Sequence, residues 1–228
     1  MIHYPTVVNL IYAHHKRQPL SGRVLMIGWQ SVTMTVAQTL QAMAQAGVPI
    51  RMEADVYQDR HTMQGKGCHW IDAEPFFKLI ADVEVAALDV SDYEGASIIH
   101  DLNKPLPVEY HGIADFIVDG SCMDNLFDPA CALRCMSQLL RPDGRLLCYE
   151  SGVPNGGAYI MFTIDWFRDY LEANDYADID VRNYYYDDVF GEWSSERPTA
   201  QHLVLTQARK TASSSDIVAP IQVGYRGT

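Results

Sequence analysis

A chain of 228 residues that is 48% apolar and 20% charged has globular composition, so it is neither disordered nor fibrous. Its formal net charge of −12 sets it against nucleic-acid phosphates and anionic membrane surfaces, leaving small neutral or cationic ligands. The five cysteines (Cys68, Cys122, Cys131, Cys135 and Cys148) are odd in number and fall mostly in expected core elements, which fits a reducing cytoplasm better than a disulfide framework.

In chain order, Thr6 to Ala13 is a short apolar run with no basic segment before it and no small-residue cleavage site after it, so no secretory leader is expected. No run approaches the length of a membrane span. Arg23 to Gly28 (RVLMIG) reads as a buried strand, and a helix is expected from about Thr33 to Ala46, ending at Gly47. Val48 to Ala54 could form a short strand. Gln58 to His69 is polar and glycine-containing, hence a loop, and Asp72 to Leu79 suits a short helix with Phe76, Phe77 and Ile80 on one face.

Two further strands are the most telling part of the chain. Val85 to Leu88 ends at Asp89, and Ala96 to His100 ends at Asp101. Apolar runs of this length suit buried parallel strands. A carboxylate just past such a strand stands at the carboxyl edge of the sheet, where open α/β folds bind ligands. Two such edges could grip a ribose and an adenine.

Ala114 to Asp119 is the next strand, followed by a helix near Pro129 to Leu140. Arg141-Pro142-Asp143-Gly144 is a tight turn leading into a strand from Arg145 to Tyr149. Thr163 to Ala173 is an amphipathic helix. Ile179 to Tyr186 and His202 to Gln207 are two final strands, expected to pair antiparallel, and residues 211–228 read as a partly mobile tail. With no repeat and no linker, residues 1–210 are expected to form one domain. The alternation of helices and strands predicts a Rossmann-like, doubly wound α/β fold.

This order of signals resembles the class I S-adenosylmethionine-dependent methyltransferases. RVLMIG is similar to that family's first strand and loop, and LLRPDGRLL to its turn into the fifth strand. LDVSDYEGASIIHDLNKPLP resembles, more narrowly, a bacterial group with a D-x-S-x-Y-E-G-A and D-L-N-x-P signature, often associated with polysaccharide or secondary-metabolite clusters. The likeness runs from about Gly22 to Asp188. It implies a mostly parallel seven-stranded sheet with an antiparallel last strand. It also implies S-adenosylmethionine as cofactor, S-adenosylhomocysteine as product, and methylation, by expectation on oxygen, of a small molecule or saccharide. A homodimer is compatible with it. Two features depart from the family: the first loop, Gly28-Trp29-Gln30-Ser31, keeps one glycine, and Asp124-Asn125 stands where the narrower group often has Glu-His. They motivate the alternative of a non-catalytic, partner-binding relative.

The residues carry their own chemistry. A dinucleotide needs several glycines so that backbone N–H groups can approach its pyrophosphate, so the single glycine weighs against a nicotinamide enzyme. The methyl donor has no phosphate, and Gly28, Trp29, Gln30 and Ser31 suffice for its amino-acid end. Asp89, with Val90 and Ser91, is the candidate for the ribose hydroxyls, or else a helix N-cap. Gly28 and Asp89 are 61 residues apart (89 minus 28), against about 20 in the dinucleotide pattern. Either residues 48–82 are an insertion, which the narrower resemblance favours, or Ile50 to Glu53 is the second strand and Glu53 binds the ribose.

Asp101 and Leu102 would flank the adenine, or simply make a turn. Asp119, Gly120 and Ser121, at the end of the fourth strand, are expected where cofactor and acceptor meet, with Gly120 letting the backbone pass close. A general base would help an oxygen acceptor. The candidates are His100, Asp124, Tyr159 and His111, with Tyr184 to Tyr186 and Trp193 as possible acceptor-pocket walls. His61, Cys68 and His69 match no closed zinc pattern, and Cys131 with Cys135 suits core packing, so no metal is expected.

Overall fold

Two parallel strands, β1 (Gly22–Ile27) and β2 (Val83–Asp89), form the heart of the first half of the chain, paired in register from Gly22 with Val83 to Ile27 with Leu88. In the computed structural model, residues 1–228 are described except 4–5, 52–54, 155–156, 187–192, 195–200 and 226–228. The chain divides into two units, Met1–His100 and Asp101–Thr228. In the first, the strand order is β3-β2-β1, β3 being Ile98–Ile99. In the second it is β4-β5-β8-β6-β7, formed by β4 (Ala114–Gly120), β5 (Leu140–Ser151), β6 (Ala177–Tyr186), β7 (Trp193–Ser194) and β8 (Gln201–Arg209).

β4 and β5 are parallel, and β8 runs antiparallel to both β5 and β6. This is a Rossmann-like α/β fold whose mostly parallel sheet carries an antiparallel last strand. The seven expected strands are all present. The two-residue β7 is an addition, paired with the end of β6.

The first unit has three helices: α1 (Thr6–Arg17), α2 (Val36–Ala46) and α3 (Ala73–Ile80). The apolar run near the N-terminus is therefore a helix, with Val7, Val8, Ile11 and Tyr12 buried. α2 starts three residues later than expected, because Thr35 and Gln38 form a reciprocal capping box that fixes its first turn. It ends at Gly47, whose left-handed φ of 66° favours glycine. In α3, Asp72 caps the start and Phe76, Phe77, Leu79 and Ile80 are buried. Truncating either phenylalanine would cost about 3–5 kcal/mol.

Two strand expectations are corrected. Ala96 to His100 shrinks to the two-residue edge strand β3, and Ile99 is exposed, because β3 closes the sheet on that side. Val48 to Arg51 form no strand, and the strand beside β1 is β2; Glu53 lies outside the described residues.

The second unit has α4 (Pro129–Leu139) and α5 (Ile164–Ala173). Between Leu140 and Arg145 the chain bulges out of the β4 pairing, with Asp143 at a φ of 65°, where the turn was expected. The start of the expected tail is tied down by the buried Asn174, whose amide donates to Val218 O and accepts from Ser215 Oγ and Val218 N. Among the described residues, no helix is long and apolar enough to cross a membrane.

Candidate functional site

The carboxyl ends of β1 and β2 bring Gly28 and Asp89 together. Gly28 has a φ of 65°, which lets the chain turn sharply off β1, and its N–H donates to Leu88 O of β2 (2.8 Å). A β-carbon on Gly28 would lie 3.6 Å from Asp89 Oδ2. The other oxygen, Asp89 Oδ1, accepts from Val90 N at 2.6 Å. Asp89 begins no helix, so its alternative as an N-cap is not what the structure uses. Val90 and Ser91 are exposed beside it. One carboxylate oxygen is thus locked to the backbone while the other stands over the turn, an arrangement that can accept from a vicinal diol.

The rest of the first loop is used differently. Gln30 is buried, its Nε2 donating to Ile27 O (2.6 Å) and its Oε1 accepting from the Met1 amino group (2.7 Å). Ser31 is buried and shares a 2.5 Å hydrogen bond with Thr62 Oγ1. Both side chains therefore hold the loop in shape. Trp29 stacks at a tilt of 34° on His61, with ring centres 4.7 Å apart, and its indole N–H is buried without an acceptor.

The loop of residues 58–70 is more organised than its polar sequence suggested. Asp59 Oδ1 accepts from the N–H groups of His61 and Thr62, and its Oδ2 from the Thr62 hydroxyl (2.6 Å). Met63 N donates to Glu94 Oε1 at 3.0 Å, tying the loop to the segment after β2. Cys68 and His69 point to other tasks: the thiol donates to Gln64 O and the imidazole meets Gln58.

His100 N donates to Asp89 O at 2.9 Å, and His111 closes a turn of 3₁₀ helix through Val108 O. Asp101 stands at the start of a turn. It accepts from Asn103 through both backbone and side chain and pairs with Lys104 at 3.2 Å, and these donors hold its carboxyl below the usual range. Leu102 is buried.

At the end of β4 the left-handed residue is Ser121, with φ 65°. Asp119 accepts from Cys122 N (3.1 Å). Asp124 is buried in the turn that follows. Its Oδ2 accepts from the hydroxyls of Ser121 and Ser151, both at 2.5 Å, and from Ser151 N at 3.2 Å. Its N–H donates to Glu150 Oε2 (2.9 Å), and its carbonyl accepts from the backbone of Tyr159, whose side chain is exposed. Tyr184 lies under the Arg182 guanidinium and Tyr185 against His202. The side chains of Tyr186 and Trp193 lie outside the description.

The grouping that the sequence did not suggest is Asp119, Cys148 and Glu150, all buried, with one ligand atom of each within 4.8 Å of the others. Its trace in the sequence is the spacing of Cys148 and Glu150, two apart on a strand and so on one face. Burial pushes the Asp119 carboxyl up to about 7. Burial, reinforced by the Asp119 charge, raises Glu150 well above the carboxylate range, and burial raises the Cys148 thiol too. Glu150 therefore keeps its proton beside the Asp119 carboxyl.

A cavity of about 570 Å³ lies between α4 and α5, lined by Leu133, Arg134, Trp166, Tyr170 and Pro220 among others, and includes none of the expected site residues.

No protein-family model matches the sequence, and no curated protein matches it. Several solved structures do. The 1,6-didemethyltoxoflavin-N1-methyltransferase of Burkholderia thailandensis, with bound 1,6-didemethyltoxoflavin and S-adenosylhomocysteine, is 16% identical over 90% of this chain and 77% of its own, with a TM-score of 0.47. Phosphoethanolamine N-methyltransferase 2 of Haemonchus contortus, in complex with S-adenosyl-L-methionine, is 12% identical over 90% of this chain and 52% of its own (TM-score 0.48). A SAM-dependent methyltransferase of Archaeoglobus fulgidus is 10% identical over 88% of this chain and 93% of its own (TM-score 0.46). At such identities, residue roles rest on this chain's own geometry.

Proposed function

We propose that this chain is an S-adenosylmethionine-dependent methyltransferase acting on a small molecule or saccharide, with oxygen as the methylated atom. The observation that carries the reading is Asp89 Oδ2 standing over the left-handed Gly28 at the ends of two adjacent parallel strands. This is the place where open α/β sheets take ligands. The solved structures similar to this chain include methyltransferases holding S-adenosylmethionine or S-adenosylhomocysteine, which supports the same cofactor and product here.

The residues fit that group unevenly. Asp89 takes the ribose hydroxyls, with Val90 and Ser91 beside it. Gly28 and Trp29 border the amino-acid end, whereas Gln30 and Ser31 shape the loop through their own hydrogen bonds. The resemblance of the sequence assigns Asp101 and Leu102 to the adenine and Asp119, Gly120 and Ser121 to the meeting point of donor and acceptor. When bound, the cofactor supplies an electrophilic methyl group on a sulfonium. The chain's part is to orient the donor and acceptor, which provides most of the acceleration in such a displacement.

The test is calorimetric titration with S-adenosylmethionine and S-adenosylhomocysteine, with Asp89→Ala as control. Micromolar binding that the substitution abolishes supports the reading, and unchanged affinity in the variant overturns the ribose assignment. A second reading, a donor-binding domain without turnover, is favoured by the internal use of Gln30, Ser31 and Asp124. Donor binding without methyl transfer to any of a broad acceptor panel would establish it. We further propose a cytoplasmic location and leave the homodimer to light scattering.

A further inference from the structure

We propose that Asp119, Cys148 and Glu150 form a buried site for one divalent transition-metal ion, with Zn²⁺ as the ion it suits best. The inference stands apart from the functional reading above, because a metal held between β4 and β5 requires no methyl donor.

The three side chains meet through strand register. Asp119 of β4 pairs with Cys148 of β5, so both leave the sheet on one face, and Glu150 lies two residues further along that face. All three are fully buried, and one ligand atom of each lies within 4.8 Å of the others. Zinc bonds to sulfur are about 2.3 Å long and those to carboxylate oxygen about 2.0–2.2 Å. Small rotations of the two carboxyl groups therefore close the three atoms on an ion.

The fold orients these groups without using them up. Asp119 Oδ1 accepts from Cys122 N (3.1 Å), while Oδ2 is buried without a hydrogen-bond partner. Glu150 Oε2 accepts from Asp124 N (2.9 Å), while Oε1 receives the weak thiol donor of Cys148 at 3.5 Å. Each carboxylate is thus steered through one oxygen by a backbone N–H, which leaves the other for a metal. A second unpartnered atom stands in the same row. Across β5, Cys148 pairs with Thr206 of β8, whose hydroxyl is buried and makes no hydrogen bond. Directly opposed residues share a face, so Thr206 stands beside Cys148, where its hydroxyl or a water completes a fourfold site.

Charge points the same way. The Asp124 charge acts on both carboxylates, and no Lys, Arg or His side chain forms an ion pair with Asp119, Asp124 or Glu150. In the metal-free chain the proton kept by Glu150 relieves the crowding. A dication neutralises both carboxylates at once, and the protons it displaces from Glu150 and the Cys148 thiol pass to solvent. A thiolate among the ligands favours Zn²⁺ over Mg²⁺ and Ca²⁺, which take oxygen ligands. Because the ligand atoms are buried, the ion enters as the chain folds.

The experiment therefore loads the ion during folding. The full chain is unfolded with chelator, refolded with Zn²⁺ or with Co²⁺ as its coloured substitute, and freed of loose ions by gel filtration. The expected result is about one ion retained per chain, with a sulfur-to-cobalt charge-transfer band in the near ultraviolet. At an ion concentration roughly a hundred times the Kd, the unfolding midpoint should rise by about 5–10 °C. Cys148→Ser should lose the band, and Glu150→Gln should weaken retention by about a hundredfold or more. A folded wild type that retains no ion overturns the site. So does a band that survives Cys148→Ser, which would place the ion on another cysteine. Should the variants not fold, X-ray absorption of the loaded wild type decides. One sulfur among oxygen neighbours is expected, and either no sulfur or more than one overturns the proposal.

Discussion

Asp119 of β4 and Glu150 of β5 are buried acids on neighbouring strands, and burial raises the proton affinity of both. Two bare carboxylates could not share that space without water. The proton is therefore part of the fold.

Stability should then depend on pH with a definite sign. The Asp119 carboxyl, pushed up to about 7 by burial, binds its proton more tightly folded than unfolded. Its stabilising share is complete below the unfolded value of about 4 and is lost as pH rises through about 7. His3, held down near 4 by burial, works in the opposite sense below about 6.5. The informative quantity is thus the difference between wild type and Asp119→Asn in urea unfolding. The wild type should lose on the order of 2 kcal/mol more than the variant between pH 5.5 and 8.5. Equal slopes would mean that Asp119 titrates normally.

Gly95→Ala should destabilise the first unit by about 1–3 kcal/mol, from its positive φ and from the contact with His61 Nδ1. In the Gly95→Ala, His61→Ala double variant the contact vanishes but the backbone strain stays. The two changes should then be less than additive by about 0.5 kcal/mol or more in a denaturation cycle. Strict additivity would show that the ring does not rest on this glycine.

Much of the fold was legible in the sequence because its signals are local. RVLMIG, the run ending at Asp89 and ADFIVD are apolar stretches closed by polar residues, and each became a parallel strand. Gly47 ended its helix, and the Arg141 to Gly144 turn appeared as the bulge of β5. The run ending at Asp101 misled, because an apolar pattern does not reveal whether a strand lies at the centre of a sheet or on its edge. At the site, Gly28 and Asp89 were readable as strand ends. The spending of Ser31 on Thr62, of Gln30 on Ile27 and of Gly95 on His61 was not, since these depend on how loops far apart in sequence meet. The meeting of Asp119 and Glu150 likewise needs the β4–β5 register, which no window of sequence contains.

Asp89→Asn should weaken binding of S-adenosylhomocysteine by about tenfold or more, because an amide cannot accept from two hydroxyls as a carboxylate can. Asp89 is only half-buried and its Oδ1 bond to Val90 N survives in the amide, so the midpoint of thermal unfolding should move little. A large loss of stability would instead assign Asp89 to the architecture of the β2 end.

Asp124 separates a structural from a catalytic role most sharply. Its Oδ2 already accepts from Ser121 Oγ, Ser151 Oγ and Ser151 N, while Oδ1 is buried without a partner. A carboxylate so engaged holds the ends of β4 and β5 together. Asp124→Ala removes the acceptor shared by the half-buried Ser121 hydroxyl and the buried hydroxyl and N–H of Ser151, and should cost about 3 kcal/mol in urea unfolding. Asp124→Asn keeps an oxygen for those donors and places its NH₂ where Oδ1 had no partner, so it should cost only about 1 kcal/mol. If Asp124 is structural, the asparagine variant retains donor binding and, with any acceptor that the wild type methylates, most of its turnover. A general base would show the reverse: a folded asparagine variant with kcat lower by about a hundredfold or more and donor affinity unchanged.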